Sequence, residues 1–500
     1  MKNLLTCMLV LWTGLSSAQG VRQRLNSLFQ TQHRHQQLNG NVLAAQKGKI
    51  IYQNSFGSQD IARAIPNREE TLFCLASVSK TITATAVLQL VESGKLRLDD
   101  PFAKYFPEFP YPAITIRQLL SHTSGLPDKD VLFNDSLISK QPDKVWQNSD
   151  ILPALRSFGK LAFLPGDKWS YSNINYNLLA LLMEKLCGLS YAAYLQRHIF
   201  KPAGMPSAYL ETSLIQTKNT DRAINYGFSA PYAADLLPVA TLPGNKKWVY
   251  TLNGLIGQGG LVMTVADLFR FDRALYKGKL LKPATLQLAF TPVVLNNKEL
   301  ADASSSAGQA SYGLGWFILR DTSAGKIVFH TGRIPGQVNI FLRNLDKQET
   351  VIVLDNAESE AIYTTGSNAL KIMDNRPERI RKLSTALYYS KALFKDGPDA
   401  GAVKLSQMRA DSATYELDPG EMDFMGHLFL DRGQKSQGME VFKVNLLLYP
   451  GIWQVCNSYA GALLKNGQQE QAKIIYDRAL KLEPKNEEAI KALAALSGLK

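Results

Sequence analysis

Between Gly433 and Pro484 the chain repeats itself. Gly433 and Gly467, Phe442 and Tyr476, Leu446 and Leu480, and Pro450 and Pro484 all stand at one interval of 34 residues. A fixed period of that size confines a chain to stacked supersecondary units. Each unit reads as a helix, a turn at the glycine, and a second helix stopped at the proline, which lacks the N–H a continuing helix needs. Residues 421–500 hold two such units. Two units are too few to bury a continuous core, so residues 376–415, with the helical run Arg379–Leu393, are expected to supply the missing packing partner.

The interval is that of tetratricopeptide repeats, which the tail resembles, and the resemblance implies a protein partner for the repeats. A chain of 500 residues exceeds what one core organises, so a second domain must precede them. The start of the chain stands apart from both. Met1 and Lys2 give a positive beginning, Leu4–Leu15 is apolar, and Ser16, Ser17 and Ala18 are small. This pattern predicts an export signal over residues 1–18, cleaved after Ala18 and too short to span a bilayer. The protein is therefore expected to be periplasmic or extracellular, with no transmembrane anchor.

Composition narrows the function by exclusion. The net charge is +13, but the basic residues are scattered rather than gathered into a stripe, so no nucleic-acid partner is expected. Cys7 leaves with the leader, and Cys74, Cys187 and Cys456 match no zinc or redox spacing. They read as buried free thiols, with a Cys74–Cys187 bridge as the alternative in an oxidising compartment. The six histidines contain no HExxH, so neither metal nor cofactor is expected.

Ahead of the repeats the periodicity is mixed. Apolar runs between Val42 and Phe56 flank Lys47, Gly48 and Lys49, which predicts a β-hairpin. Helical periods follow at Thr81–Val91, Ile114–Leu120 and Asn177–Leu186, the last ended by Gly188. Strand-length runs return at Tyr312–Leu319, Ile327–His330, Asn339–Leu342 and Thr350–Leu354. Strands from both ends with helices between them predict an α+β domain over residues 22–372: an antiparallel sheet flanked by helices, with an inserted helical subdomain. An all-α repeat domain follows over residues 376–500. The polar segment Asp128–Phe158 reads as a surface excursion. Tyr226, Phe228, Tyr232, Trp248 and Tyr250 read either as a roof over a cleft or as the small core of a surface loop.

The chemistry lies in three separated motifs. A serine hydroxyl is a weak nucleophile until a neighbour takes its proton, and Ser-x-x-Lys places an amine one helical turn away on the same face. Ser77-Val78-Ser79-Lys80 fits and opens the apolar helix beginning at Thr81. Three other matches, at Ser157/Lys160, Ser323/Lys326 and Ser497/Lys500, open no such helix. Downstream stand Tyr171-Ser172-Asn173 and His330-Thr331-Gly332.

In that order the motifs resemble the active-site set of class C β-lactamases and related DD-peptidases and esterases. Leu119–Pro127, Gly259-Gly260-Leu261 and Tyr312–Trp316 add to the resemblance, which covers residues 40–356. It implies a β-lactamase/transpeptidase-like fold and catalytic roles for Ser77, Lys80 and Tyr171. Either Lys80, its pKa lowered by desolvation, or Tyr171 would act as base. Tyr171 would relay protons to the leaving group, and Asn173, His330, Thr331, Gly332 and Arg333 would contact substrate. The backbone N–H groups of Ser77 and Arg333 would form the oxyanion hole. Two departures weaken a lactamase reading: His330 stands where class C lactamases carry Lys, and bulky Arg333 could either supply the missing charge or narrow the site. His122 lies in a phrase the family uses structurally.

The resulting expectation is an exported serine hydrolase that forms an acyl-enzyme at Ser77. It would cleave an amide, ester or lactam bond in a small substrate, with a D-amino-acid or cell-wall peptide among the candidates. The alternatives are an esterase on the same scaffold and a non-catalytic scaffold that recruits a partner through its repeats.

Overall fold

The computed structural model describes residues 19–211, 220–245, 251–304, 308–379 and 381–498. The leader expected over residues 1–18, and Trp248 and Tyr250, lie outside the described residues. The chain divides into two compact units. One holds the residues up to Gly227 with Pro238–Arg379, and the other holds Phe228–Leu237 with the residues after Arg379.

A seven-stranded antiparallel sheet forms the frame of the first unit. From one edge its strands are Ala310–Tyr312, Phe317–Leu319, Ile327–Ile334, Gln337–Asn344, Glu349–Asp355, Gly40–Gln46 and Lys49–Phe56. The two ends of the domain meet where Gly40–Gln46 pairs with Glu349–Asp355. Side chains alternate between the faces of a strand, and here both faces are covered. Val42 and Ala44 join Phe29, Ile362 and Leu370 on one side, while Leu43 and Ala45 join Ile82 and Leu268 on the other. Two-sided burial explains why runs such as Val351–Leu354 are continuously apolar.

The predicted hairpin is present, turning at Lys47-Gly48. The helices appear as Ser79–Glu92, Ile116–Ser121 and Asn173–Cys187, the last closed by Gly188. Tyr312–Leu319 is two strand ends rather than one strand. The chain reverses between Tyr312 and Phe317 through Gly315, whose φ is 86°. A β-carbon at Gly315 would stand 2.4 Å from the Ala84 methyl, so only glycine lets this turn press onto the helix Ser79–Glu92. Asp128–Phe158 is also more than a surface excursion. It contains the short helices Lys129–Leu132, Asp135–Ser139 and Ile151–Phe158, and it buries Phe133, Trp146 and Leu155 in the core. Pieces this brief leave no readable period.

The second unit is helical: Thr385–Asp396, Pro398–Ala410, Pro419–Asp431, Lys435–Leu448, Trp453–Lys465, Gln469–Leu482 and Glu487–Leu496. Gly433 and Gly467 occupy the turns inside the two repeats, as their spacing predicts. The run read as Arg379–Leu393 begins at Thr385, because Ser384 caps it by accepting from the Leu387 N–H at 3.1 Å. Leu446, Cys456, Leu463 and Tyr476 close a core between the last helices. A second core gathers Tyr389, Met422, Phe429 and Val441, and it includes Tyr232, whose ring stacks on Phe429 at 4.0 Å. Phe228 packs against the same core. Tyr232 and Phe228 therefore roof no cleft, while Tyr226 is buried in the first unit and accepts from the Ile61 N–H. Cys74, Cys187 and Cys456 are unbridged, so the Cys74–Cys187 alternative is not formed. Among the described residues no single helix is long and apolar enough to cross a membrane.

Candidate active site

Ser77 sits in a single 3-10 turn, Ala76–Val78, that runs directly into the helix Ser79–Glu92. Ala76 before it has a φ of 48°, a left-handed conformation that costs an alanine about 1 kcal/mol and persists only where the surroundings fix it. One turn on, the fully buried Lys80 sends its Nζ back to Ser77. The amine donates to the Ser77 hydroxyl at 3.1 Å, the Asn173 side-chain carbonyl at 2.8 Å and the Gln258 backbone carbonyl at 2.8 Å.

Three acceptors satisfy an ammonium. A neutral amine keeps two hydrogens, and the Asn173 and Gln258 carbonyls can hold both, which would leave the lone pair facing the Ser77 hydroxyl. Burial drives the Lys80 pKa well below its ordinary value, against the opposing pull of Asp128; Lys129 adds to the lowering. The arrangement can accept a proton from the serine.

Tyr171 meets the same hydroxyl through a hydrogen bond with Ser77, and its ring lies 4.9 Å from the Lys80 Nζ. Burial pushes its phenol far above the ordinary tyrosine value, so it is a neutral donor rather than a ready base. His122 supports it. A capping box between Thr115 and Gln118 starts the helix Ile116–Ser121, which ends at His122 in the left-handed conformation. The imidazole stacks on Tyr171 with centroids 4.3 Å apart. Its Nδ1 lies 3.2 Å from both the Ser172 N–H and the Asn175 amide, so it accepts and the ring is neutral. Burial, with Lys80 and His330 nearby, lowers its pKa in agreement.

Asn173 begins the helix Asn173–Cys187, whose N-cap residue, Ser172, makes no side-chain capping bond. The end is held from outside. Ser172 Oγ donates to the Pro127 carbonyl at 2.8 Å, and Asp128 accepts from the Asn173 backbone N–H at 2.7 Å and from its side-chain amide at 3.1 Å.

The His-Thr-Gly motif lies on the strand Ile327–Ile334. A β-carbon at Gly332 would stand 2.3 Å from the Leu75 carbonyl oxygen and 3.3 Å from the Ser77 nitrogen, so this strand runs hard against the turn that carries Ser77. His330 is buried beneath it, bonded through Nε2 to the Tyr312 hydroxyl at 3.1 Å and through Nδ1 to the Thr331 carbonyl. Burial and the Lys80 charge take its pKa down to about 3, so no permanent cation stands there. Arg333 carries the charge instead, but it pairs with Glu360 and Glu358.

These elements border a cavity of about 410 Å³, lined by Ser77, Asn173 and Arg333 among others. Arg222, Val239 and Leu252 line it as well. Arg222 is buried in an ion pair with Glu211 at 2.8 Å, and Arg63, also on the wall, pairs with Asp60. Of the residues expected to contact substrate, Asn173 and Arg333 line the cavity, His330 and Gly332 are buried, and Thr331 is half-buried.

The family model for Beta-lactamase matches residues 25–366. The chain belongs to the beta-lactamase family. A Tetratricopeptide repeat model matches residues 454–496. A penicillin-binding protein of Bacillus subtilis is 37% identical over 347 residues, spanning 69% of this chain and 74% of the relative. The solved structure of a penicillin binding protein from Bacillus halodurans superposes with a TM-score of 0.57 at 27% identity, covering 70% of this chain and 98% of that one. A D-amino acid amidase from Ochrobactrum anthropi SV3 shares the fold, with a TM-score of 0.56 at 23% identity over 70% of this chain and 98% of that one. This beta-lactamase family member is accordingly a serine hydrolase.

Two site groups escaped the sequence reading. The Gln258 carbonyl is backbone and leaves no side-chain signature, although the glycines at 257, 259 and 260 mark a loop built for close approach. Asp128 was readable in principle as an acid directly after Leu126-Pro127, at the head of a short helix.

Proposed function

We propose that this protein is an exported hydrolase that forms an acyl-enzyme at Ser77 and cleaves amide bonds in small peptides or amides of D-amino acids, including cell-wall peptides. The observation that carries the reading is the Lys80 amine, held by Asn173 and Gln258 with its remaining valence on the Ser77 hydroxyl. In the proposed reaction Ser77 Oγ attacks the substrate carbonyl carbon and passes its proton to Lys80 Nζ. The oxyanion rests on the Ser77 and Arg333 N–H groups, donors of a kind worth about 3 kcal/mol each in a transition state. Collapse of the intermediate breaks the C–N bond. The leaving nitrogen takes the Tyr171 proton, and the Lys80 ammonium reprotonates the phenoxide. Water then attacks the acyl-enzyme by the same route in reverse.

Similarity to penicillin-binding proteins and to a D-amino acid amidase supports the substrate class.

The test is covalent capture. The protein is incubated with a fluorescent penicillin and with a fluorophosphonate, and the adduct is mapped by mass spectrometry in wild type and Ser77→Ala. Label at Ser77 that is lost in the variant, with cleavage of D-amino-acid amides, supports the reading. Phosphonate label with ester turnover alone points to an esterase, and no label at Ser77 points to a non-catalytic scaffold that binds a protein partner through its repeats.

A further inference from the structure

We propose that Asp128 is a positioning residue that fixes which end of the Asn173 amide faces Lys80 and holds the amine in a balanced charge environment. The inference rests on the acyl-enzyme reading of Ser77. The two ends of an asparagine amide are nearly equal in shape, so their partners decide the orientation. Asn173 presents its oxygen to the Lys80 Nζ at 2.8 Å and its nitrogen to Asp128 Oδ2 at 3.1 Å. A carboxylate can only accept, so an ionised Asp128 admits no other arrangement. Its second oxygen accepts from the backbone N–H of Asn173 at 2.7 Å and that of Lys129 at 2.7 Å, which pins the carboxylate itself. The adjacent Ser172-to-Pro127 bond ties the two segments together again.

The geometry has a chemical consequence. The groups around the amine are the Ser77 hydroxyl, the Asn173 and Gln258 carbonyls, the rings of Tyr171 and Tyr176, and the neutral His122 and His330. Two further charges bear on it: Lys129, which repels it, and Asp128, which attracts it. Asp128 therefore works against the desolvation that drives the proton off, and the amine keeps a proton affinity high enough to take one from a serine. Removing the carboxylate should free the base at lower pH while weakening it.

An asparagine at position 128 cannot serve both bonds. Its oxygen can accept from either the Asn173 amide or the Asn173 backbone N–H, and its own NH2 then opposes a donor.

The experiment is the pH dependence of fluorophosphonate labelling of Ser77, measured as a second-order rate in wild type, Asp128→Asn and Asp128→Glu. Thermal melts of each variant report the fold. For Asp128→Asn the plateau rate is expected to fall about tenfold or more, the scale of a lost hydrogen bond to a charged group. The acid limb is expected to move down by about one unit. Asp128→Glu keeps the charge, so its limb stays at the wild-type position although its plateau drops. A folded Asp128→Asn protein whose limb does not move overturns the proposal. So does a glutamate variant whose limb moves. Absence of label from wild-type Ser77 overturns the acyl-enzyme reading itself, and this inference with it.

Discussion

Lys80 lies closer to the Asn173 carbonyl, at 2.8 Å, than to the Ser77 hydroxyl, at 3.1 Å. The amine is thus held mainly by groups that are not proposed to react, and its contact with the serine is the one that can change as a proton moves. Lys80→Met keeps the length of the side chain and removes the lone pair. Phosphonate labelling of Ser77 is expected to slow at least about 100-fold, the low end of general-base effects. The variant no longer buries an amine but strands two carbonyls, and these effects offset. Its melting temperature should stay within about 4 °C of wild type.

Acid stability should report on His330. Burial lowers its folded-state pKa to about 3, below its ordinary 6.5. The unfolded chain then binds the proton first, so the stability this ring permits is complete above about pH 6.5 and is lost as pH falls toward 3. His330→Gln removes that penalty. The expected result is a midpoint of acid unfolding at lower pH for the variant than for wild type, read by circular dichroism. Equal midpoints would show that the ring is not held neutral.

Gly332→Ala tests the approach of the strand to the Ser77 turn. The added methyl would stand 2.3 Å from the Leu75 carbonyl oxygen, so strand or turn must shift. A misplacement of about 1 Å near reacting atoms costs on the order of 100-fold in rate. Labelling per folded molecule should fall by that order, and a rate near wild type would place the strand farther from the serine.

Tyr232→Ala should loosen the helical unit. The ring is 3% exposed and stacks on Phe429. Its loss should cost about 3 kcal/mol, as for other buried aromatics cut back to alanine. Limited proteolysis should open sites between residues 385 and 448 in the variant first. An unchanged cleavage pattern would mean that the core stands without this side chain.

Much of the frame was legible because it is local. The Ser77–Lys80 pair is a helical spacing, the Lys47-Gly48 turn a dipeptide signal, and Gly433 and Gly467 mark turns by their interval alone. Strand periods gave the sheet, except at Tyr312–Leu319, where Gly313 and Gly315 break the β-forming run and the chain reverses against Ala84. What escaped is non-local. Nothing around Tyr232 says that its ring will be buried against Phe429, nearly 200 residues later. The Gln258 carbonyl has no letter of its own, and Asp128 looks like any loop acid until Asn173 stands beside it.

The segment Phe228–Leu237 carries a lesson about inheritance. It is encoded inside the hydrolase stretch, yet it furnishes part of the hydrophobic interior of the helical unit. A recombination that moved only the C-terminal coding region onto another gene would deliver an unfinished interior, missing Tyr232 and its neighbours. The helical unit is therefore the dependent part of this gene, needing a stretch that is encoded ahead of it.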